Sequence, residues 1–436
     1  MKKIKLSPYV KILLTFIAVI LIGAIFLVLP ISTTNGNLSF IDALFMSTSS
    51  VCVTGLSVVN NIAVDFTFFG QLILVLLMAI GGLGFLTFST FFFVIIGSKI
   101  DITNRYLMKE SLNMNSAKGI IRLVKNIVLF ALIFQLFGAI INYFILLKDF
   151  GPIKSIWVAI FQSVSAYNNV GFDILGYSTS MYNYRGNVLL NLSTMFLIIF
   201  GGLGFVTIFD VFKNRRWKSL SITTKIVLIV TPVLILFGAL FIKISMYSNV
   251  TWLQSFFQSV ALRTAGFSTI DVNKVNTSVY VVMLCLMFIG GSPCSTAGGF
   301  KTTSFIVLLV SMFKLSIGKH PTIFKRKISN ETIIKTFSLF ALSILYILLA
   351  TFLVSIFDYS FGIREILFEV ISAFGTVGYS LGITSSLSLG SKIVIIITMI
   401  FGRLGILSVL NTMNKHWLQG GDVETVDYVE EKIIVG

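Results

Sequence analysis

The sequence predicts an all-α polytopic membrane protein. It consists of four helix–loop–helix repeats around a central pseudo-fourfold axis, with eight transmembrane spans. Three observations carry this reading. First, the 436 residues are 56% hydrophobic and only 11% charged, against roughly 25% charged in soluble domains. Several apolar runs reach about 20 residues, the length that crosses a bilayer. Second, four short segments look alike: Val53-Thr54-Gly55-Leu56, Asn169-Val170-Gly171-Phe172, Thr264-Ala265-Gly266-Phe267 and Thr376-Val377-Gly378-Tyr379. Their glycines lie 116, 95 and 112 residues apart. Third, basic connections alternate with connections poorer in Lys and Arg. Sorting the 33 Lys and Arg by the topology below puts 23 on one side, 8 on the other and 2 (Lys301 and Arg403) at membrane depth. That is the positive-inside asymmetry.

Each repeat has an outer helix, a short re-entrant helix, a glycine turn and an inner helix. The first, residues 1–98, has its outer helix at about Val10 to Leu29. This run is too long for a signal-peptide h-region, and no small-X-small cleavage site follows it. Its re-entrant helix is about Phe40 to Ser50, behind Ser39 and Asp42 in capping-box-like spacing, and its inner helix about Phe69 to Gly97. The second, 99–218, reads Asn126 to Leu147, Ser155 to Tyr167 and Val188 to Phe212. The third, 219–330, reads Lys225 to Tyr247, Trp252 to Leu262 and Ser278 to Phe313, the last broken over 290–301. The fourth, 331–415, reads Ile333 to Phe357, Ile363 to Phe374 and Lys392 to Met413. Residues 416–436 form an acidic tail. An even number of spans places both termini on the Lys- and Arg-rich, cytoplasmic side.

A helix of about 12 residues rises only ~18 Å, partway through a ~30 Å core. Its C-terminal dipole end faces the membrane centre and favours a cation there. The chain then returns in non-helical form, which is tolerated at that depth only inside protein or along water. Four such pore loops on one chain close into a ring of backbone carbonyls, the device that strips water from potassium and still lets it pass.

The inner helices carry a second repeat. Ile80-Gly81-Gly82-Leu83-Gly84-Phe85 matches Phe200-Gly201-Gly202-Leu203-Gly204-Phe205 and Phe401-Gly402-Arg403-Leu404-Gly405-Ile406. For Gly81 and Gly201 the reading is close helix packing. The third copy departs, as Ile289-Gly290-Gly291-Ser292-Pro293-Cys294-Ser295-Thr296-Ala297-Gly298-Gly299, and is read as the one inner helix that cannot stay continuous. Arg403 is a charge inside an apolar helix, functional or paired by default. It is read as a fixed cation that hydrogen-bonds this loop, with a snorkelling arginine as the alternative. Lys301 is either a second barrier charge or a residue facing the cytoplasm. Arg263 is expected to brace its turn through local carbonyls or a carboxylate such as Glu369. Asp173 is either a cation attractor at the mouth or a solvated loop acid.

Other classes fail on these residues. The net charge of +16 is spread over two sides and makes no basic face for nucleic acid. Cys52, Cys285 and Cys294 lack metal spacing. His320 and His416 fall in connections. No nucleophile–base pair or paired carboxylates support an enzyme, and no P-loop supports a pump. A symporter with broken helices would show two inverted repeats rather than four parallel units.

The turns, together with Leu262-Arg263-Thr264-Ala265-Gly266-Phe267, Ser295 to Thr303 and Ser372-Ala373-Phe374-Gly375-Thr376-Val377-Gly378, resemble the Trk/Ktr/HKT superfamily of potassium transporters over essentially the whole chain. The likeness is closest to the bacterial Ktr membrane subunit (KtrB- or KtrD-like). It implies a selectivity filter of Val53, Thr54, Gly55, Asn169, Val170, Gly171, Thr264, Ala265, Gly266, Thr376, Val377 and Gly378. A serine at the first glycine accompanies sodium-selective plant members, so four glycines imply potassium; a sodium-conducting or sodium-coupled member is the alternative. The second turn departs from the usual Asn-Ala-Gly-Phe by its Val170. The resemblance also implies a gating loop of Gly290, Gly291, Ser292, Pro293, Cys294, Ser295, Thr296, Ala297, Gly298 and Gly299, with Lys301 and with Arg403 as its fixed cation. It further implies a homodimer in a bacterial cell membrane, docked on a cytosolic RCK-type nucleotide-binding ring (KtrA- or KtrC-like). No cofactor is expected on this chain itself. Potassium is the transported ion, any nucleotide acts through the ring, and sodium activation is a family feature with no site nameable here.

Overall fold

A computed structural model describes residues 8–84, 87, 120–176 and 180–410. The N-terminal lysines, the first inner helix beyond Leu83 toward Gly97, the basic stretch from Lys99 to Lys118, the end of the fourth inner helix at Met413 and the acidic tail all lie outside the described residues, apart from Gly84 and Thr87. The structure is mostly helical. In chain order its helices are α1 (Pro8–Val28), α2 (Phe40–Val51), α3 (Ile62–Asp65), α4 (Phe68–Leu83), α5 (Ile120–Tyr167), α6 (Val188–Gly202), α7 (Phe205–Lys213), α8 (Ile222–Met246), α9 (Trp252–Ala261), α10 (Thr277–Phe288), α11 (Thr302–Ser316), α12 (Asn330–Phe357), α13 (Ile363–Gly375), α14 (Leu389–Leu404) and α15 (Ile406–Leu410). One two-stranded hairpin pairs Thr322–Ile323 with Arg326–Lys327. Among the described residues α1, α5, α8 and α12 are each long and apolar enough to cross a membrane, and α6 with α7 qualify together across an 89° bend.

α5 is two helices in one run. At Gly151 the backbone turns to φ 72° and ψ 172°, and residues 152–167 fold back as a short helix. The short helices start where the sequence supplies caps. Ser39 accepts from the Asp42 N–H, and Thr251 with Gln254 forms a full capping box, each satisfying first-turn donors.

Each of the first three outer helices packs on its short helix through the same notch. Gly23, Gly138 and Gly238 face Ser47, Ser163 and Ser259 so closely that a Cβ would collide with the hydroxyl. The same hydroxyls donate to Ile20 O at 2.7 Å, Gln135 O at 2.5 Å and Ile235 O at 2.7 Å. Small residues and hydroxyls do this work in a membrane because burying apolar surface against lipid gains little. The outward faces fit that solvent: Ile22, Phe144, Leu236 and Phe352 are exposed, while Ser47, Thr48, Ser49 and Ser50 are fully buried. Polar groups point inward, toward the ends of the short helices.

Candidate ion path

The four glycine turns follow the ends of α2, α5, α9 and α13. In each, the first residue is left-handed: Val53, Asn169, Thr264 and Thr376 have φ of 59°, 59°, 76° and 51°. The glycine two positions later is too, with Gly55, Gly171, Gly266 and Gly378 at 88°, 94°, 72° and 94°. The residue between keeps an ordinary negative φ, and such alternation turns successive carbonyls to one side. Positive φ at β-branched Val53, Thr264 and Thr376 is strained backbone, which persists only where the surroundings impose it.

The imposing contacts are visible. N–H groups of the turns point back to their own helices: Thr54 to Ser49 O at 2.8 Å, Val170 to Ser165 O at 2.9 Å, Ala265 to Ala261 O at 2.9 Å and Val377 to Ser372 O at 2.8 Å. The Gly55 and Gly378 N–H groups donate to the hydroxyls of Ser49 and Ser372 at 3.0 and 3.1 Å. The carbonyls face away. Among the described residues, none of the carbonyls of Val53–Gly55, Asn169–Gly171, Thr264–Gly266 and Thr376–Gly378 accepts a hydrogen bond. Enclosed backbone acceptors normally find a partner.

The turns touch in cyclic order. A Cβ built on Gly55 would strike Val170 O. One on Gly171 would stand 2.5 Å from Ala265 O, and one on Gly266 2.7 Å from Val377 O. One on Gly378 would strike Thr54 O and so return to the first turn. The four segments therefore form a closed ring with room for glycine alone at each contact. Tyr379 fastens the fourth turn to the third by donating its hydroxyl to Phe267 O.

Below the ring every inner helix is interrupted, which corrects the expectation that only the third would be. Gly84, Gly204 and Gly405 adopt nearly the same non-helical geometry, with φ of 82°, 89° and 84° and ψ of 133°, 134° and 132°. The packing role holds beside these breaks. A Cβ on Gly81, Gly201 or Gly402 would meet the last carbonyls of the neighbouring short helices, at Val51, Tyr167 and Phe374.

The breaks free helix carbonyls, and the third inner helix uses them. Between α10 and α11 the chain is irregular over 289–301. Ser292 N–H bonds Gly202 O at 3.1 Å, Thr296 N–H bonds Gly201 O at 3.3 Å, and Gly299 N–H bonds Gly402 O at 3.2 Å. In return the Phe205 N–H at the start of α7 donates to Cys294 O at 2.8 Å. Arg403 completes the set. Its guanidinium donates to Thr296 O in the loop, and to Gly81 O at 2.5 Å and Gly82 O at 3.2 Å on α4. The arginine is thus a tether across three elements and does not snorkel. Lys301 bends back on the loop, donating to Ala297 O at 2.8 Å. Pro293 fills the space beside Gly204.

Two neighbours differ from expectation. Buried Arg263 donates to Gly290 O at 3.4 Å, so it reaches the loop and not Glu369. Glu369 instead accepts from Thr384 at 2.5 Å, because the fourth short helix aims it at the segment after its own turn. Asp173 is half-buried, and its carboxylate accepts from the Leu175 N–H at 3.2 Å. Sequence reading missed Ser49 and Ser372. The signal was present as a serine six residues before Gly55, Gly171 and Gly378.

Gly204 gives a direct check. Its φ and ψ suit glycine almost exclusively, and an added Cβ would stand 2.5 Å from Pro293 O. Gly204→Ala is expected to cost about 1–3 kcal/mol locally, lowering the melting temperature of the detergent-purified protein and raising basal ion flux as the loop loses its support. An unchanged melting temperature together with unchanged flux would rule the contact out.

A helical membrane chain with bare carbonyls ringed at its centre belongs to the class of cation transport proteins. This chain is a member of the TrkH family, whose profile, described as a cation transport protein, matches residues 6–420; it is a transporter and not an enzyme. It is 39% identical over 418 residues to Ktr system potassium uptake protein B of Bacillus subtilis, covering 93% of each protein. It is 36% identical over 447 residues to potassium/sodium uptake protein NtpJ of Enterococcus hirae, covering 99% of this chain and 98% of that one. The crystal structure of the potassium transporter TrkH from Vibrio parahaemolyticus has the same fold. Its TM-score is 0.75 at 19% identity, over 96% of this chain and 87% of that one.

Proposed function

We propose that this chain is the ion-translocating subunit of a bacterial potassium uptake system. Potassium passes through the ring of Val53–Gly55, Asn169–Gly171, Thr264–Gly266 and Thr376–Gly378, and the loop of residues 290–301, held by Arg403, gates it from below. In this reading the chain crosses the membrane eight times in four repeats, 1–98, 99–218, 219–330 and 331–415, with both termini cytoplasmic. One observation carries the reading: the carbonyls of Val53–Gly55, Asn169–Gly171, Thr264–Gly266 and Thr376–Gly378 accept from no described protein donor. A dehydrating cation supplies what they lack, and carbonyl oxygens in this number replace a potassium hydration shell.

The relatives support the ion and the assembly. One is named as part of a Ktr system, which fits a second, cytosolic component, taken here as an RCK-type ring that binds nucleotide and docks on the basic connections of a homodimer. The Enterococcus hirae relative is named for potassium and sodium, and sodium conduction is the second reading.

Purified protein in liposomes separates the two. Potassium uptake well above sodium uptake under matched gradients is expected. Equal uptake of both ions would move the assignment to the sodium reading, and uptake of neither, with or without a ring subunit, would sink both.

A further inference from the structure

Beneath the ring lies a cavity of about 450 Å3, within the size range of small-ligand sites. The loop of residues 289–301 and the broken ends of α4 and α14 form its inner wall. Its outer wall is made by α1, with Ile12 and Phe16, and by α12, with Lys335 and Leu339. The cavity therefore runs from under Arg403 to the cleft between the first and last outer helices.

Its charge is one-sided. Lys301, Lys335 and Arg403 line it, and among the described residues no Asp or Glu does. Arg403 and Lys301 are held by carbonyls, which are dipoles and cancel no net charge. Lys335 makes no ion pair with a described residue. Three cations with no described carboxylate beside them raise the barrier to a cation on that route. Charge of one sign gathered in one cavity attracts a counter-charge. The first-turn residues Thr303 and Ser304 of α11 also line the cavity, and N–H groups of a first helical turn favour phosphate. Where the cavity meets the outer helices its walls turn apolar, at Ile12, Phe16 and Leu339, beside the Lys335 ammonium. That pairing suits a molecule with a phosphate head and hydrocarbon tails.

We propose that this cavity binds the phosphate of an anionic phospholipid, whose charge offsets Lys301, Lys335 and Arg403 and permits cation flow beneath the ring. The inference rests on the reading of the ring as a potassium path. The phosphate chemistry is shared with free inorganic phosphate, so the test carries an arm for each.

Wild-type protein is reconstituted in phosphatidylcholine vesicles, in phosphatidylcholine–phosphatidylglycerol vesicles, and in phosphatidylcholine vesicles supplied with inorganic phosphate on both sides. Potassium flux is expected to rise about fivefold with phosphatidylglycerol, the factor one basic residue contributes near an anionic surface. Lys335→Gln abolishes the gain, and Arg326→Gln, on the hairpin outside the cavity, keeps it. A gain from inorganic phosphate with none from phosphatidylglycerol overturns the lipid assignment. Measurable but equal flux in all vesicles, or a full gain in Lys335→Gln, overturns the proposal. Phosphatidylglycerol retained by the purified protein, counted by native mass spectrometry in wild type and Lys335→Gln, is read independently of flux. Retention lost in the variant while no vesicle shows potassium flux would count against the conduction reading alone.

Discussion

Arg403→Ala is expected to raise basal potassium flux about tenfold. The guanidinium donates to Thr296 O on the loop and to Gly81 O and Gly82 O on α4, so it pins an irregular segment between two helices. Hydrogen bonds from a charged donor are worth about 1.5–3 kcal/mol each. Losing the equivalent of one shifts the balance between docked and undocked loop by about tenfold, since ~1.4 kcal/mol is a factor of ten. The substitution also removes a positive charge from the cavity, which acts in the same direction. Arg403→Lys separates the two causes, because lysine keeps the charge and lacks the planar fork that reaches several carbonyls. If tethering dominates, lysine behaves like alanine; if charge repulsion dominates, it behaves like wild type. Deleting Ser292 to Ala297 should also raise flux. Well-expressed Arg403→Ala protein with unchanged flux would remove the gate from this position.

Substitution of the ring glycines carries the other large effect. Gly266→Ser is expected to lower the potassium-to-sodium flux ratio about tenfold or more, equivalent to ~1.4 kcal/mol of ion discrimination. At Gly266 the backbone φ is 72°, and a Cβ would stand 2.7 Å from Val377 O and 3.2 Å from Val170 O. Real side chains do not approach carbonyl oxygens that closely, so the ring must open or a carbonyl must rotate away. Either change spoils the coordination that a potassium ion requires more strictly than flux alone. Gly55→Ser is the more severe case, because its Cβ falls almost on Val170 O at φ 88°. Parallel uptake of potassium and sodium in liposomes measures the ratio. A ratio unchanged in both variants would show that these carbonyls do not select the ion.

Much of this was legible because membrane proteins write their interior in small residues. The four turns, the short helices ahead of them and the broken third inner helix could be read from glycine, proline and hydropathy. Arg403 stood out as a charge where lipid or packed protein would otherwise surround it. The breaks at Gly84, Gly204 and Gly405 were not legible. A glycine inside an apolar run reads equally as a packing notch, and Gly81 and Gly201 are just that. At Gly204 the bend goes with the loop that docks beside it, through Pro293 and Cys294, and a loop so distant in sequence leaves no local signal. Arg263 shows the same limit: the sequence points to local carbonyls or a carboxylate such as Glu369, and the placement of the loop supplies the distant Gly290 O instead. The hydroxyl notches of Ser47, Ser163 and Ser259 were hidden because serine pairs with carbonyls too far away in sequence to suggest it.

The ring has a seam where its last unit meets its first. Gly378 lies against Thr54 O, and Lys392 on α14 reaches Asp42 on α2 at 2.6 Å, across 350 positions of chain. Contacts between such distant residues form late, because the intervening chain must be ordered first. A ribosome extends this chain from its first unit to its fourth, so the earlier turns enter the membrane with one side of the ring missing. A three-sided cluster of carbonyls cannot replace a hydration shell. On the reading proposed above, the order of synthesis keeps an unfinished chain from leaking ions, because the path closes only with the fourth turn, where Gly378 meets Thr54 O.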